Sequence, residues 1–483
     1  MDTRLAVVVA ATAFTLLGTL AFSFAIGRRH SKADDWQTGG RSLPLYVIAG
    51  TQLATLMGGG VLVGHVGIGY QNGWSTVTYG LLTAVGMVPL VIMARWLRRG
   101  GLSSLPDVLG KLYGRNRVMD VITIVMSIVI PFGWLCTNLV AFGNLFSLIT
   151  GVSSNLLIPV FGVLCLGFVL PAGLTSVAWT DFFFGVGMVV LAGATTVFTL
   201  SDAGGWSQIR TNLPSDITDF PAGMGSVGTL AIVFWVLAVM PGNLTNQQVY
   251  QRVFAAGDTR GARVGIIIAA VLYAGALVWA GAMGMAIRSM NPKLDNPEMA
   301  MGWLLTRIPT PLLALFAAFI VATIMSTASS AVQSAVVNLT KDIYKDYVDP
   351  DVPADKLLRM SRLASVGIVA LGVALAVFYS EALQWLVMTF AYSVSALLMP
   401  ILVGFALRRT GLLNSAGAVG GMICGLLGAA VAHAVGTEWP YVAFGMLSSF
   451  VGLFVFSLAF RGRSGRPDLP GDATPRTVEQ TTA

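Results

Sequence analysis

VIAGTQLATLMGGGVLVGHVGIGY, residues 47–70, is apolar and long enough to cross a hydrocarbon core of roughly 30 Å, yet Gly58, Gly59 and Gly60 interrupt it near its middle. In lipid every backbone N–H and C=O needs an internal partner. A span with such a weak point therefore predicts backbone that lines a cavity or is buried in protein. A second stretch, LAIVFWVLAVMPGNLTNQQVYQR at 230–252, has the same character, with Pro241, Gly242 and Asn243 interrupting an apolar run.

These are two spans among many. The chain has 483 residues, of which 55% are hydrophobic and 11% charged, and its mean hydropathy is +0.77. That is the composition of an all-α integral membrane protein. About thirteen spans are predicted, near 5–27, 43–64, 75–97, 117–148, 155–172, 178–200, 228–248, 262–288, 311–340, 361–379, 384–407, 415–436 and 440–460. The first is read as a retained helix, because Arg28 and Arg29 follow it and no small-residue cleavage site ends it. With the N-terminus outside, about 24 of the 29 Lys and Arg residues, Arg252 included, fall in cytoplasmic loops and tail.

The net charge of +7 belongs to those loops and is no argument for nucleic acid. Cys136, Cys165 and Cys424 lie in separate spans and suggest neither a disulfide framework nor a thiolate metal site. His30, His65 and His433 lack metal-ligand spacing. There is no P-loop and no nucleophile positioned with a base, so neither an enzyme nor an organic cofactor is expected. The stretch at 461–483, rich in Pro, Gly and Thr, is expected to be a disordered cytoplasmic extension.

If spans two to six and seven to eleven are two five-helix halves, each break falls in the first helix of its half. Matched interruptions of this kind point to a transporter of inverted repeats, with solute and ions held near the midplane. The competing reading is a pair of local kinks or glycine packing surfaces. No residue-level repeat is evident between the halves.

VATIMSTASSAVQS, at 321–334, adds oxygens to one of the most apolar regions. On a helix, Thr323, Ser326, Thr327, Ser330 and Ser334 share a face, with Ser329 at its edge. Such a stripe can supply neutral ligands to a small alkali cation, together with carbonyls of Ala54 and Met57 freed by the break. It can equally bond its own helix and let neighbours approach. Asp181, in GLTSVAWTDFFFGVGMVV at 173–190, is read either as an ion ligand at membrane depth or as a helix cap.

At this point the chain resembles the sodium:solute symporter family, whose members carry proline, sugars, sialic acid and pantothenate. The likeness rests on GRSLP at 40–44, SLPDVLGKLYG at 104–114, AGLTSVAWTD at 172–181, NQQVYQRVFAAGD at 246–258, MSTASS at 325–330 with KDIY at 341–344, and SAGAVGGMICG at 415–425. It implies a leucine-transporter-like five-plus-five inverted repeat with extra helices at both ends. Its boundaries are 1–42 for the N-terminal helix and loop, 43–227 and 228–410 for the repeats, and 411–460 for the C-terminal helices.

The resemblance also implies a first sodium site at Ala54, Met57, Thr323, Ser326 and Thr327, and a possible second at Asp181, Ser326, Ser329 and Ser330. Gln52, Thr55, Gly59, His65, Trp134, Asn138, Asn243 and Asn246 are the solute-cavity candidates. Phe184 stands where the family usually has Gln, and the glycine triplet and His65 also depart from the familiar sugar and proline carriers. The expected activity is sodium-coupled import of a small organic solute by alternating access in a prokaryotic plasma membrane, which a monomer can complete. A proton-coupled carrier using Asp181, or a passive channel or sensor on the same scaffold, is the alternative.

Overall fold

The computed structural model describes residues 3–29, 42–170, 174–379 and 381–461. The expected disordered extension and the loop residues Lys32 and Arg41 lie outside the described residues, apart from Arg461.

The described residues form a succession of helices. They are α1 (Thr3–Arg29), the broken pair α2 (Leu45–Leu56) and α3 (Gly60–Asn72), α4 (Ser75–Arg99), the short amphipathic α5 (Leu105–Tyr113), α6 (Arg117–Thr150), α7 (Ser154–Val169), α8 (Leu174–Asp202) and α9 (Gly205–Asn212). Then come α10 (229–242), α11 (Gln247–Ala255), α12 (Thr259–Met290), α13 (Ala300–Arg307), α14 (Thr310–Val348), α15 (Ala354–Phe378), α16 (Ala382–Leu407), α17 (Ser415–Val435) and α18 (Tyr441–Ala459).

Local chemistry sets several of these ends. Asn116 accepts from the N–H groups of Val118 and Met119 at the start of α6, and Gly151, at φ +70°, closes that helix. Asp258 and Asn414 cap α12 and α17 by accepting from Gly261 and Gly417.

Among the described residues, eleven helical spans are long and apolar enough to cross a membrane, and the bent α2–α3 pair makes a twelfth. The thirteenth expected span is α7, whose 16 residues reach only about 24 Å at 1.5 Å per residue. Both predicted breaks are present. α2 and α3 meet at 54°, and residues 243–246 are non-helical between α10 and α11.

The packing repeats itself in a way the residues do not. α2 packs on α8 and α12, while α10 packs on α16 and α4; α6 rests on α7, and α14 on α15. Each pairing in the first set has its counterpart in the second. α6 and α14, the third helices of the two halves, pack directly on each other. α1 lies along α14, and α17 and α18 pair and lean on α16.

Glycine permits the closest crossings: a Cβ on Gly86 of α4 would lie 1.6 Å from the Met240 carbonyl oxygen of α10. One on Gly284 of α12 would lie 2.2 Å from the Tyr70 nitrogen of α3.

One face of the bundle is basic and carries α5. There Asp107 accepts from the Ser103 N–H, pairs with Arg115 at 2.7 Å and lies 3.2 Å from Lys341. Burial pushes this carboxyl upward, but Lys341, the Ser103 N–H and Arg115 together outweigh that and hold it below its ordinary value.

Candidate ion and solute site

The glycine triplet is a contact surface as well as a hinge. A Cβ on Gly58 would meet the Thr327 side chain at 2.8 Å, and one on Gly59 would meet the Ala141 Cβ at 2.3 Å, so the break nests against α14 and α6. Asn138 of α6 props it open, its Oδ1 accepting from the Gly59 N–H at 2.9 Å while its Nδ2 donates to the Trp134 carbonyl at 2.7 Å.

Across this gap Thr327 Oγ1 lies 3.0 Å from both the Ala54 and the Thr323 carbonyl oxygens. Three of the five expected ligands of the first ion site therefore meet at one hydroxyl. Thr323 Oγ1 is buried without a hydrogen-bond partner.

The fourth, Ser326, turns the other way and donates to Asp181. Thr51 of α2 donates to the other carboxylate oxygen at 2.6 Å. Arg252 Nη2 stands 3.4 Å from that same oxygen and 3.0 Å from Ser330 Oγ. Asp181 lies well inside α8, which begins at Leu174, so it is no cap: it ties α8 to α2, α14 and α11.

Arg252 corrects the loop assignment made from hydropathy. It is 1% exposed, its Nε reaches the Thr51 carbonyl at 3.2 Å, and its Nη1 donates to the Gln248 carbonyl at 2.9 Å. The break at 243–246 ended the apolar run early and pushed NQQVYQR into an assumed loop. α11 instead continues the span inward, and a cation in the turn after a broken span was the signal.

The other candidates divide. Thr55 donates to the Thr51 carbonyl and Ser329 to the Met325 carbonyl, each within its own helix. Ser334 is held by Gln251 at 2.6 Å. His65 Nδ1 lies 2.8 Å from the Gly60 carbonyl, which can only accept, so Nδ1 carries the proton. Its ring packs edge-on against Tyr79 at 4.4 Å. Phe184, at the family's usual Gln position, packs against Phe319 of α14.

Both side-chain polar atoms of Gln52 and of Gln248 are buried without partners, as are His65 Nε2, Trp134 Nε1, Asn243 Oδ1 and Asn246 Nδ2. Gln248 was not among the sequence candidates. Unpaired buried polar groups are costly, and these are candidates for contact with a polar ligand.

The profile of the sodium:solute symporter family matches residues 36–425. The chain belongs to the sodium:solute symporter family. Among curated relatives of this family member, the uncharacterized symporter YidK of Escherichia coli (strain K12) is 24% identical over 377 residues, covering 72% of this chain and 64% of that protein. A sodium/proline symporter of Staphylococcus aureus is 26% identical over 306 residues, covering 59% and 57%. The match thus spans less than two thirds of either relative. The solved outward-open, substrate-bound structure of a Na+-coupled sialic acid symporter aligns with a TM-score of 0.80 over 94% of this chain and 98% of that one, at 18% identity. The fold of this symporter-family chain is accordingly the leucine-transporter-like inverted repeat.

Proposed function

We propose that the chain is a sodium-coupled secondary active symporter that imports a small organic solute by alternating access. One observation carries this reading: Thr327 of α14 donates to the Ala54 carbonyl at the break of α2, joining the two halves at a cluster of neutral oxygens. A dehydrated alkali ion takes such ligands, and it favours whichever conformation holds them together.

In this reading Ala54, Met57, Thr323, Ser326 and Thr327 form the first sodium site. Asp181, Ser326, Ser329 and Ser330 form a second that opens when Arg252 releases the carboxylate. Thr327 Oγ1 and the Ala54 and Thr323 carbonyl oxygens already lie together, and Ser326 must turn from Asp181 to join them. Ser329, bonded within its own helix, must turn to join the second set.

Gln52, Gly59, His65, Trp134, Asn243 and Asn246, joined by Gln248, line the solute cavity. The relatives' names offer proline as one kind of solute, and the unpartnered amides suit a small polar organic molecule. Thr55 and Asn138 act through the helices they brace. The repeats are taken as 43–227 and 228–410, with the N-terminus outside, the basic face cytoplasmic and the protein in a prokaryotic plasma membrane. Thr51, Ser326 and Arg252 all donate to Asp181.

The test is thermal stability of the purified protein in sodium against potassium at equal ionic strength, repeated across a metabolite panel. A sodium-specific rise that deepens with one solute supports the reading, because a ligand of the native state stabilises it by mass action. No sodium effect on well-folded protein overturns it.

A further inference from the structure

The hydroxyl face of α14 does not end at the ion cluster. Beyond Ser326 the helix places Ser330, Ser334, Asn338, Asp342 and Asp346 at four-residue steps, about 6 Å apart along the axis. From Asn338 to Val348 the helix opens into wider π turns, an irregularity often found at functional sites. Ser330, Ser334, Asn338 and Asp342 are all buried. Both side-chain atoms of Asn338 and the Oδ2 of Asp342 lack hydrogen-bond partners.

The lower end of this stripe is acidic. Asp107, Asp342 and Asp346 each bring a carboxylate oxygen within 4.8 Å of the others. Asp342 Oδ1 is occupied by Ser104 at 3.0 Å and Lys341 at 2.8 Å, which leaves Oδ2 as the unsatisfied group. Asp107 shares Lys341 and Arg115, and Arg115 also reaches Asp120 at 3.5 Å. Beside the cluster an opening of about 440 Å³, lined by Arg115, Lys345, Asp346, Tyr347 and Pro350, leads to the basic face. Once Arg252 has left Ser330, a cation moving down α14 would thus pass the oxygens of Ser330, Ser334 and Asn338, then a buried carboxylate oxygen with no other partner, then water.

We propose that this stripe is the cytoplasmic release path for sodium, and that Asp342, flanked by Asp107 and Asp346, is a low-affinity sodium site at its inner end. The proposal rests on the sodium-coupled reading above. Lys341 keeps the site weak, as an exit site must be, since it already neutralises part of the charge that would hold an ion.

The experiment uses the full chain in proteoliposomes, comparing wild type with Asp342→Asn and Asn338→Leu. Asn338→Leu removes an unpartnered amide while leaving the Lys341–Asp342 pair intact, so it stands in if Asp342→Asn does not fold. The solute is whichever compound deepens the sodium-dependent stabilisation of the wild type. Net uptake driven by an inward sodium gradient requires sodium release, whereas solute counterflow at equal high sodium on both sides does not. The expected result is roughly a tenfold fall in net uptake, with counterflow and the midpoint of sodium-induced stabilisation within about twofold of wild type, because slow release limits turnover without changing binding at the midplane. Unchanged net uptake overturns the proposal, and so does an equal loss of net uptake and counterflow. A wild type that shows no sodium-induced stabilisation sinks the sodium reading itself, a result separate from either of these.

Discussion

Arg252 Nη2 stands 3.4 Å from Asp181 Oδ2, both side chains are buried, and Thr51 and Ser326 complete the carboxylate's shell. Removing one member leaves the other charge buried without its partner, which costs about 3–5 kcal/mol, whereas neutralising both costs less than the sum. Asp181→Asn and Arg252→Gln should therefore each lower thermal stability markedly, and the double variant should recover part of the loss. Additive losses in a double-mutant cycle would show that the pair is not coupled.

The two proposed ion sites call for different variants. Thr327→Ala removes the hydroxyl that joins α14 to the Ala54 carbonyl and should shift the sodium midpoint of thermal stabilisation upward by about tenfold or more, the equivalent of roughly 1.4 kcal/mol. Asp181→Asn, by contrast, should lower the number of sodium ions moved per solute or the apparent sodium affinity. A Thr327→Ala protein with wild-type sodium response would remove this hydroxyl from the site.

Gln52 and Gln248 are buried with all their side-chain polar atoms unpaired, a state that costs about 1–3 kcal/mol per unsatisfied group. Gln52→Leu should accordingly raise the melting temperature of the solute-free protein and abolish the further rise caused by solute. Loss of stability in solute-free Gln52→Leu would mean that the amide is satisfied in solution.

Glycine crossings give a test of the packing. Gly86→Ala would drive a methyl group into the Met240 carbonyl and should destabilise by about 1–3 kcal/mol or more. Gly193→Ala, which meets nothing within 4 Å, should leave the melting temperature unchanged. Equal melting temperatures for the two variants would contradict the crossing of α4 and α10.

Asp107 supplies a pH dependence. Its carboxyl is held below the ordinary 3.8 by Lys341, the Ser103 N–H and Arg115, against the opposing effect of burial. A depressed folded value means that its stabilisation is complete above the unfolded value and is lost as pH falls through the folded one. Wild-type stability should be indifferent to this group near neutrality and fall below about pH 4, and the fall should be shallower in Asp107→Asn. Identical acid-unfolding curves for the two proteins would dismiss the effect.

Hydropathy and glycine placement alone yielded the spans, both breaks and the hydroxyl stripe, because lipid imposes its demand on each segment separately. Thr323, Ser326 and Thr327 were legible for the same reason: their spacing is a property of one helix. The partner of Asp181 was not legible. Arg252 is 71 residues away in sequence, and hydropathy assigns a lone arginine to a loop unless packing supplies a carboxylate for it. Nor was the division of labour among the polar residues, since Thr55 and Ser329 satisfy themselves within a helix while Gln52 and Gln248 stay unpaired.

The inverted repeat itself lies between these cases. That this chain lives in a membrane as broken and unbroken helices can be read from its residues, because burial of backbone polar groups and apolar length are local constraints. That α2 with α8 mirrors α10 with α16, and that four helices converge on one carboxylate, emerges from the packing of distant segments. Packing of one helix on another depends on shape complementarity, which many residue combinations satisfy, so two halves can keep the same arrangement after their residues have ceased to match.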